Sequence, residues 1–209
     1  MKMYAKFFLS VALLFGLISI SEADLVDYGN GLIYDTDQNI TWYDYTYRSQ
    51  GWYDALNWAA NLEVTFNGIN VSDWRLPKTN KGLTYNDYFN SCEMANLYFN
   101  ELGNIGYPNT GWGLNNTSFF KNLGSYLYWS SDLDPNGGQV WVFDFYYGIA
   151  GFHYGYYSEY LALAVFDGDI REYTLNHQVP VPEPSAILMA FTSLLGGGAY
   201  IRRKFYSRN

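Results

Sequence analysis

Asp73-Trp74-Arg75-Leu76-Pro77 is the stretch on which the reading of this chain turns. Pro77 lacks a backbone N–H and fixes its own φ, so no helix runs on through it. Arg75 stands between Trp74 and Leu76, side chains that belong in a core. A guanidinium flanked in this way is expected to be partly buried and paired with a carboxylate. The alternative is a cation that binds a ligand.

Helical patterns lie on both sides of this segment. From Gly51 to Leu62, Trp52, Ala55, Leu56, Ala59 and Leu62 recur at three- and four-residue steps and share one face. From Ser91 to Leu102, Ala95, Tyr98, Phe99 and Leu102 form a second apolar face, and Gly103 is placed to end it. Short strands are expected at Leu32–Asp35 and Asn39–Tyr43, around the turn residues Asp35-Thr36-Asp37-Gln38-Asn39. That turn has calcium-like D-x-D-x-N spacing, but Ile40 stands where a calcium loop wants Gly, which favours a plain turn. Further strands are expected at Tyr126–Ser131, Gln139–Tyr146 and Tyr160–Phe166, with Trp141, Phe143 and Phe145 alternating onto one face. These elements predict one α+β domain over residues 24–178, with two helices and a mostly antiparallel twisted sheet.

The two ends carry targeting patterns. Residues 1–23 have Lys2 and Lys6, an apolar core from Phe7 to Ile20, and Ser21-Glu22-Ala23. They predict a signal peptide cut by signal peptidase after Ala23. Residues 179–209 hold Pro182-Glu183-Pro184, a run of 17 uncharged residues from Ser185 to Ile201, and Arg202-Arg203-Lys204. A run of about 17–25 apolar residues can span a bilayer as a helix, and the basic cluster keeps its end cytoplasmic. The chain is therefore expected to be exported and anchored for a time in the cytoplasmic membrane.

Of the 20 acidic residues, only Glu22 and Glu183 lie outside 24–178; of the 12 Lys and Arg, only Arg48, Arg75, Lys78, Lys81, Lys121 and Arg171 lie inside. The domain thus holds 18 acidic and 6 basic residues, a net charge of −12. Such a field repels nucleic acid and sulfated glycans and tolerates neutral sugars. The single cysteine, Cys92, excludes an internal disulfide and reads as a buried, inert thiol.

Two features suggest binding. Asp132-Leu133-Asp134-Pro135-Asn136-Gly137-Gly138 has the D-x-D-x-N-G opening of an EF-hand loop. Its twelfth position is Phe143 instead of the closing Glu, so a full EF-hand is excluded. A weaker calcium site on Asp132, Asp134 and Asn136, completed by another loop, stays open beside a plain hairpin connection. Trp112, Tyr146, Tyr147, Tyr154, Tyr156 and Tyr157 lie in or beside Gly-rich loops, where rings can stack on a sugar. Trp112, Tyr154 and Tyr156 are the candidate ligand-binding residues. No catalytic residue, required cofactor or His/Cys metal cluster is expected.

The tail, with Pro182, Glu183, Pro184, Arg202, Arg203 and Lys204, resembles the PEP-CTERM sorting signal of Gram-negative bacteria. That resemblance implies recognition by exosortase, removal of the tail, and a place on the cell surface or in the extracellular matrix. The folded part resembles the Lcl C-terminal-like domain. Trp74, Arg75, Leu76 and Pro77 match that family's most recognisable motif, and Tyr128, Trp129, Ser130, Ser131 and Trp141 match its second. The resemblance implies a C-type-lectin-like fold. Phe166 stands where the family often carries Arg, and the net charge argues against the sulfated glycans that some members bind. The expected function is a non-catalytic module associated with neutral exopolysaccharide. A self-associating structural protein and a polysaccharide-active enzyme are the alternatives.

Overall fold

A computed structural model describes residues 25–79, 92–133, 138–154 and 156–178. The expected signal peptide, the sorting tail, and Asp134 and Asn136 of the calcium loop lie outside the described residues. The fold is α+β with a largely antiparallel sheet. In chain order it has β1 (Leu25–Gly29), β2 (Leu32–Asp35), β3 (Ile40–Arg48), α1 (Trp52–Ala60), β4 (Val64–Phe66) and β5 (Ile69–Val71). Then come α2 (Glu93–Asn96), a π-helical turn (Leu97–Glu101), β6 (Leu127–Leu133), β7 (Gln139–Asp144), β8 (Ile149–Tyr154), β9 (Leu161–Asp167) and α3 (Ile170–Asn176).

Seven strands form the main sheet in the order β1-β2-β3-β9-β6-β7-β8. All neighbours are antiparallel except β6 and β9, which meet in parallel at Tyr128 and Leu161. The last strand in the chain is therefore the central one. Its run Leu161 to Phe166 is apolar throughout, as a strand covered on both faces requires. Leu161, Leu163 and Val165 pack with α2, Trp42, Tyr128, Phe143 and Phe145. Ala162 turns the other way, into the group of Trp52, Ala55, Ala59, Leu76 and Trp129. Ala164 and Phe166 join Val64, Val71, Trp74 and Ile170 under the β4–β5 hairpin and α3. Small residues at 55, 59 and 162 let α1 lie close to the sheet.

Asp73–Pro77 enters where β9 and β6 diverge. The Arg75 N–H donates to the Val165 carbonyl at 3.0 Å, and the Val165 N–H donates back at 2.8 Å. The Pro77 carbonyl then accepts from the Ser131 N–H of β6 at 2.9 Å. The segment thus ties the two strands together beyond their own short contact.

Buried carboxylates fix the surrounding loops. Asp44, 4% exposed, accepts from the Lys121 N–H at 2.7 Å and the Asn122 N–H at 3.1 Å. Burial raises its pKa above the ordinary carboxylate value, and those donors oppose the shift. Asp35 is raised in the same way and accepts from Gln38 and from Trp42 Nε1.

The structure departs from the sequence expectation in several places. It has three helices among the described residues, not two. The third, α3, is capped by Asp169, whose Oδ1 accepts from the Arg171 N–H at 2.8 Å. The loop before Asp73 contains the β4–β5 hairpin, turned by Asn67 and Gly68 with φ of 50° and 79°. The second helix is regular only to Asn96 and then widens, with the Leu102 N–H donating to the Leu97 carbonyl at 2.9 Å. Strand β3 runs on to Arg48, with an irregularity between Tyr43 and Tyr47.

Candidate functional site

The residues of the two sequence motifs are mostly internal. Trp74, Leu76, Tyr128, Trp129 and Ser130 are at most 2% exposed, and Trp141 is 4% exposed. The indole N–H of Trp74 donates to the Val71 carbonyl, and that of Trp129 to Ser49 Oγ at 3.0 Å. The Ser130 carbonyl accepts from Trp52 Nε1 at 2.8 Å, and its hydroxyl accepts from Thr79 at 2.9 Å. The Tyr128 hydroxyl accepts from the Gly124 N–H at 2.9 Å. Pro77 and Ser131 hold each other through the backbone, as described above.

Arg75 has the expected carboxylate partners. Its Nη1 and Nη2 each donate to one oxygen of Glu93 at 2.8 Å, a bidentate pair. Its Nε donates to Asp167 at 3.1 Å, and Nη2 also donates to Asp167. Glu93 further accepts from the Lys78 N–H at 2.7 Å. Burial alone would lower the guanidinium pKa, but the bonds to Glu93 and Asp167 outweigh it and the pKa is raised. Asp167 is held below the ordinary carboxylate value, chiefly by its hydrogen bond with Arg75. Every donor direction of this cation faces the protein, so it reads as a clasp between the 75–78 segment, α2 and β9.

Among the described residues, one group of solvent-facing rings lies at the β7–β8 turn. There Trp112 stacks on Tyr147 with centroids 5.3 Å apart and planes 19° apart. Tyr146 and Tyr107 meet Trp112 edge-on at 5.0 and 5.6 Å. Tyr107, Tyr146 and Tyr147 are 53%, 46% and 40% exposed, while Trp112 is half-buried between them. Two loops build this platform. Asp144 Oδ1 accepts from the Tyr146 N–H at 2.8 Å, and the Tyr107 N–H donates to the Tyr147 carbonyl at 2.8 Å. Gly106 and Gly148 meet closely; a Cβ on Gly148, whose φ is +66°, would lie 2.6 Å from the Tyr98 ring. Asn104, 6% exposed, fixes the other loop by accepting from the N–H groups of Asn115 and Asn116. Amides of Asn109 and Asn115 lie on the same loop as Trp112.

The candidate ligand residues are thus not brought together. Trp112 is at the entry of β8, and Tyr156 lies beyond its exit, beside Trp52 and Tyr53. Six residues of strand, about 20 Å, separate them. The Tyr156 carbonyl accepts from the Trp52 N–H at 2.8 Å, and a Cβ on Gly51 would come 2.2 Å from that oxygen. Tyr154 contributes its place in β8 opposite Gln139. Sequence reading missed Tyr107, although the Gly- and Asn-rich loop holding Trp112 begins with it.

Asp132 accepts from the Thr79 N–H at 2.6 Å and so ties β6 to the segment after Pro77. Among the described residues no group of three or more His, Cys, Asp or Glu side chains is placed to hold a metal ion. Cys92 is buried, with burial raising its pKa, and it contacts Thr79 Oγ1 at 3.7 Å. Compared with protein-family models, curated proteins and solved structures, the chain matches none.

Proposed function

We propose that this chain is an exported, non-catalytic surface or matrix protein with a C-type-lectin-like domain that binds neutral exopolysaccharide. The observation that carries the binding half is the four-ring platform of Tyr107, Trp112, Tyr146 and Tyr147. Its exposed rings offer flat apolar faces to the C–H side of a sugar, while the amide nitrogens of Asn109 and Asn115 donate to carbonyls of the loop and hold its shape. The net charge of −12 over residues 24–178 favours neutral over anionic glycans. Trp112→Ala combined with Tyr147→Ala is expected to weaken glycan binding by about tenfold or more, with little change in melting temperature. The test is a glycan array probed with the detergent-solubilised full chain, with and without calcium. Retention of no neutral glycan in either condition sinks this half of the proposal.

The sorting half rests on the sequence of the two ends. Exosortase is the proposed processing enzyme, signal peptidase the first, and the cytoplasmic membrane a transient host. Mass spectrometry of surface-located protein is expected to find chains without residues 1–23 and without Arg202, Arg203 and Lys204. An intact tail on surface-located protein replaces transient sorting with permanent anchoring.

A further inference from the structure

We propose that β8 is a self-pairing edge, through which two copies of this chain join their sheets antiparallel about a two-fold axis. The two edges of the sheet are unlike. The outer edge, β1, carries the exposed carboxylate of Asp27 and a register shift between Asp27 and Gly29. Inward kinks and edge charges of this kind are what protects a strand from pairing with a neighbour. The opposite edge, β8, has neither. Its six residues pair with β7 in unbroken register from Ile149–Asp144 to Tyr154–Gln139. From Phe145 to Ser158 the chain has no Asp, Glu, Lys, Arg or Pro, and seven of these fourteen residues are aromatic. Ile149 and Phe152 are 45% and 40% exposed.

The charge distribution says which strand fits this edge. The domain is strongly acidic, so most of its surface repels a second copy. The stretch around β8 is the uncharged part that two copies can bring together without opposing carboxylates. An antiparallel pair of identical strands is self-complementary and closes on itself. With the axis through the Gly151 pair, residues that face the same side of the sheet lie opposite each other: Gly151 opposite the partner's Gly151, Ala150 opposite the partner's Phe152, and Ile149 opposite the partner's His153. That register sets the Phe152 ring across from the partner's Ala150, a small residue. The Cβ direction of Gly151 has nothing within 4 Å, and at the axis two glycines meet with no side chain between them. The pairing also carries the platform at the entry of β8 alongside the partner's Tyr156, joining ring groups that one copy holds apart. That consequence rests on the glycan-binding reading; the pairing does not.

The experiment is sedimentation of the detergent-solubilised full chain across a wide concentration range, with amide exchange read over residues 149–154. A monomer–dimer equilibrium is expected, with exchange at 149–154 slowing as the dimer fills. Gly151→Lys sets a charge on the edge at a position with open space. It is expected to raise the dimer dissociation constant by about tenfold or more while leaving the melting temperature near that of the parent. A monomer at every concentration overturns the proposal. So does a dimer unchanged by Gly151→Lys, which assigns association to another surface, the tail included. Open-ended growth overturns it too, since that is the mark of β8 pairing with the partner's β1.

Discussion

Replacing Arg75 with Ala lowers the unfolding free energy by about 3 kcal/mol, the cost of leaving the largely buried Glu93 carboxylate without its cation. Glu93 keeps only 16% side-chain exposure and loses both donors of its bidentate pair. Arg75→Lys keeps the charge but not the fork, and falls between parent and Ala. The double variant Arg75→Met, Glu93→Gln is milder than Arg75→Ala alone, because it leaves no unpaired buried charge. Urea unfolding ranks the series. The pH dependence supplies a second reading. Asp167 has a folded-state pKa below its unfolded value, so its contribution is fully present above about pH 3.9 and is lost as pH falls through the folded-state value. In Arg75→Ala that acid-side loss shrinks to the part that Lys78 sustains. A variant that keeps parental stability but loses ligand binding would move Arg75 from clasp to binding site.

Trp129→Ala is expected to cost about 3–5 kcal/mol as well, through a different cause. The ring is fully buried among Trp52, Leu76, Val140, Val142 and Ala162, and small neighbours such as Ala162 cannot collapse into the space. The truncation also takes away the indole donor that Ser49 Oγ accepts from, leaving the Ser49 hydroxyl its bond to the Tyr160 carbonyl. Ser49→Ala keeps the ring but removes both the indole's acceptor and the hydroxyl's bond to the Tyr160 carbonyl, and is expected to cost about 1–3 kcal/mol. Thermal unfolding separates the two. A Trp129→Ala protein no less stable than Ser49→Ala would mean that the hydrogen bonds around Ser49, not ring packing, are the main contribution.

Local patterns made part of this fold legible. The spacing of Trp52, Ala55 and Ala59 located α1, and Pro77 with its buried neighbours located a non-helical core segment. The flanking residues of Arg75 foretold a carboxylate partner, but not which one, since Glu93 and Asp167 lie 18 and 92 residues further along the chain. The β4–β5 hairpin and α3 each had a local signal, Asn67-Gly68 and the capping Asp169, that a reading by hydrophobic period passes over. Strand β9 hid its two-faced role because a continuously apolar strand has no alternation to read. The ring platform was half legible. Trp112 and Tyr147 each sit in a Gly-bearing loop, but their stacking depends on Gly106 meeting Gly148, a contact no spacing reports.

The central place of β9 has a consequence for the order in which the molecule can be made. Strands β1–β3 and β6–β8 are each assembled from neighbours in sequence, and within the sheet they are joined only by β9. A chain emerging from its amino end therefore carries two open half-sheets until residues 161–167 are free. During that interval the inner edges, β3 and β6, have no strand between them and are open to wrong partners. Closure waits for nearly the whole domain to emerge, and the last strand to appear is the one that makes a single sheet of the two halves.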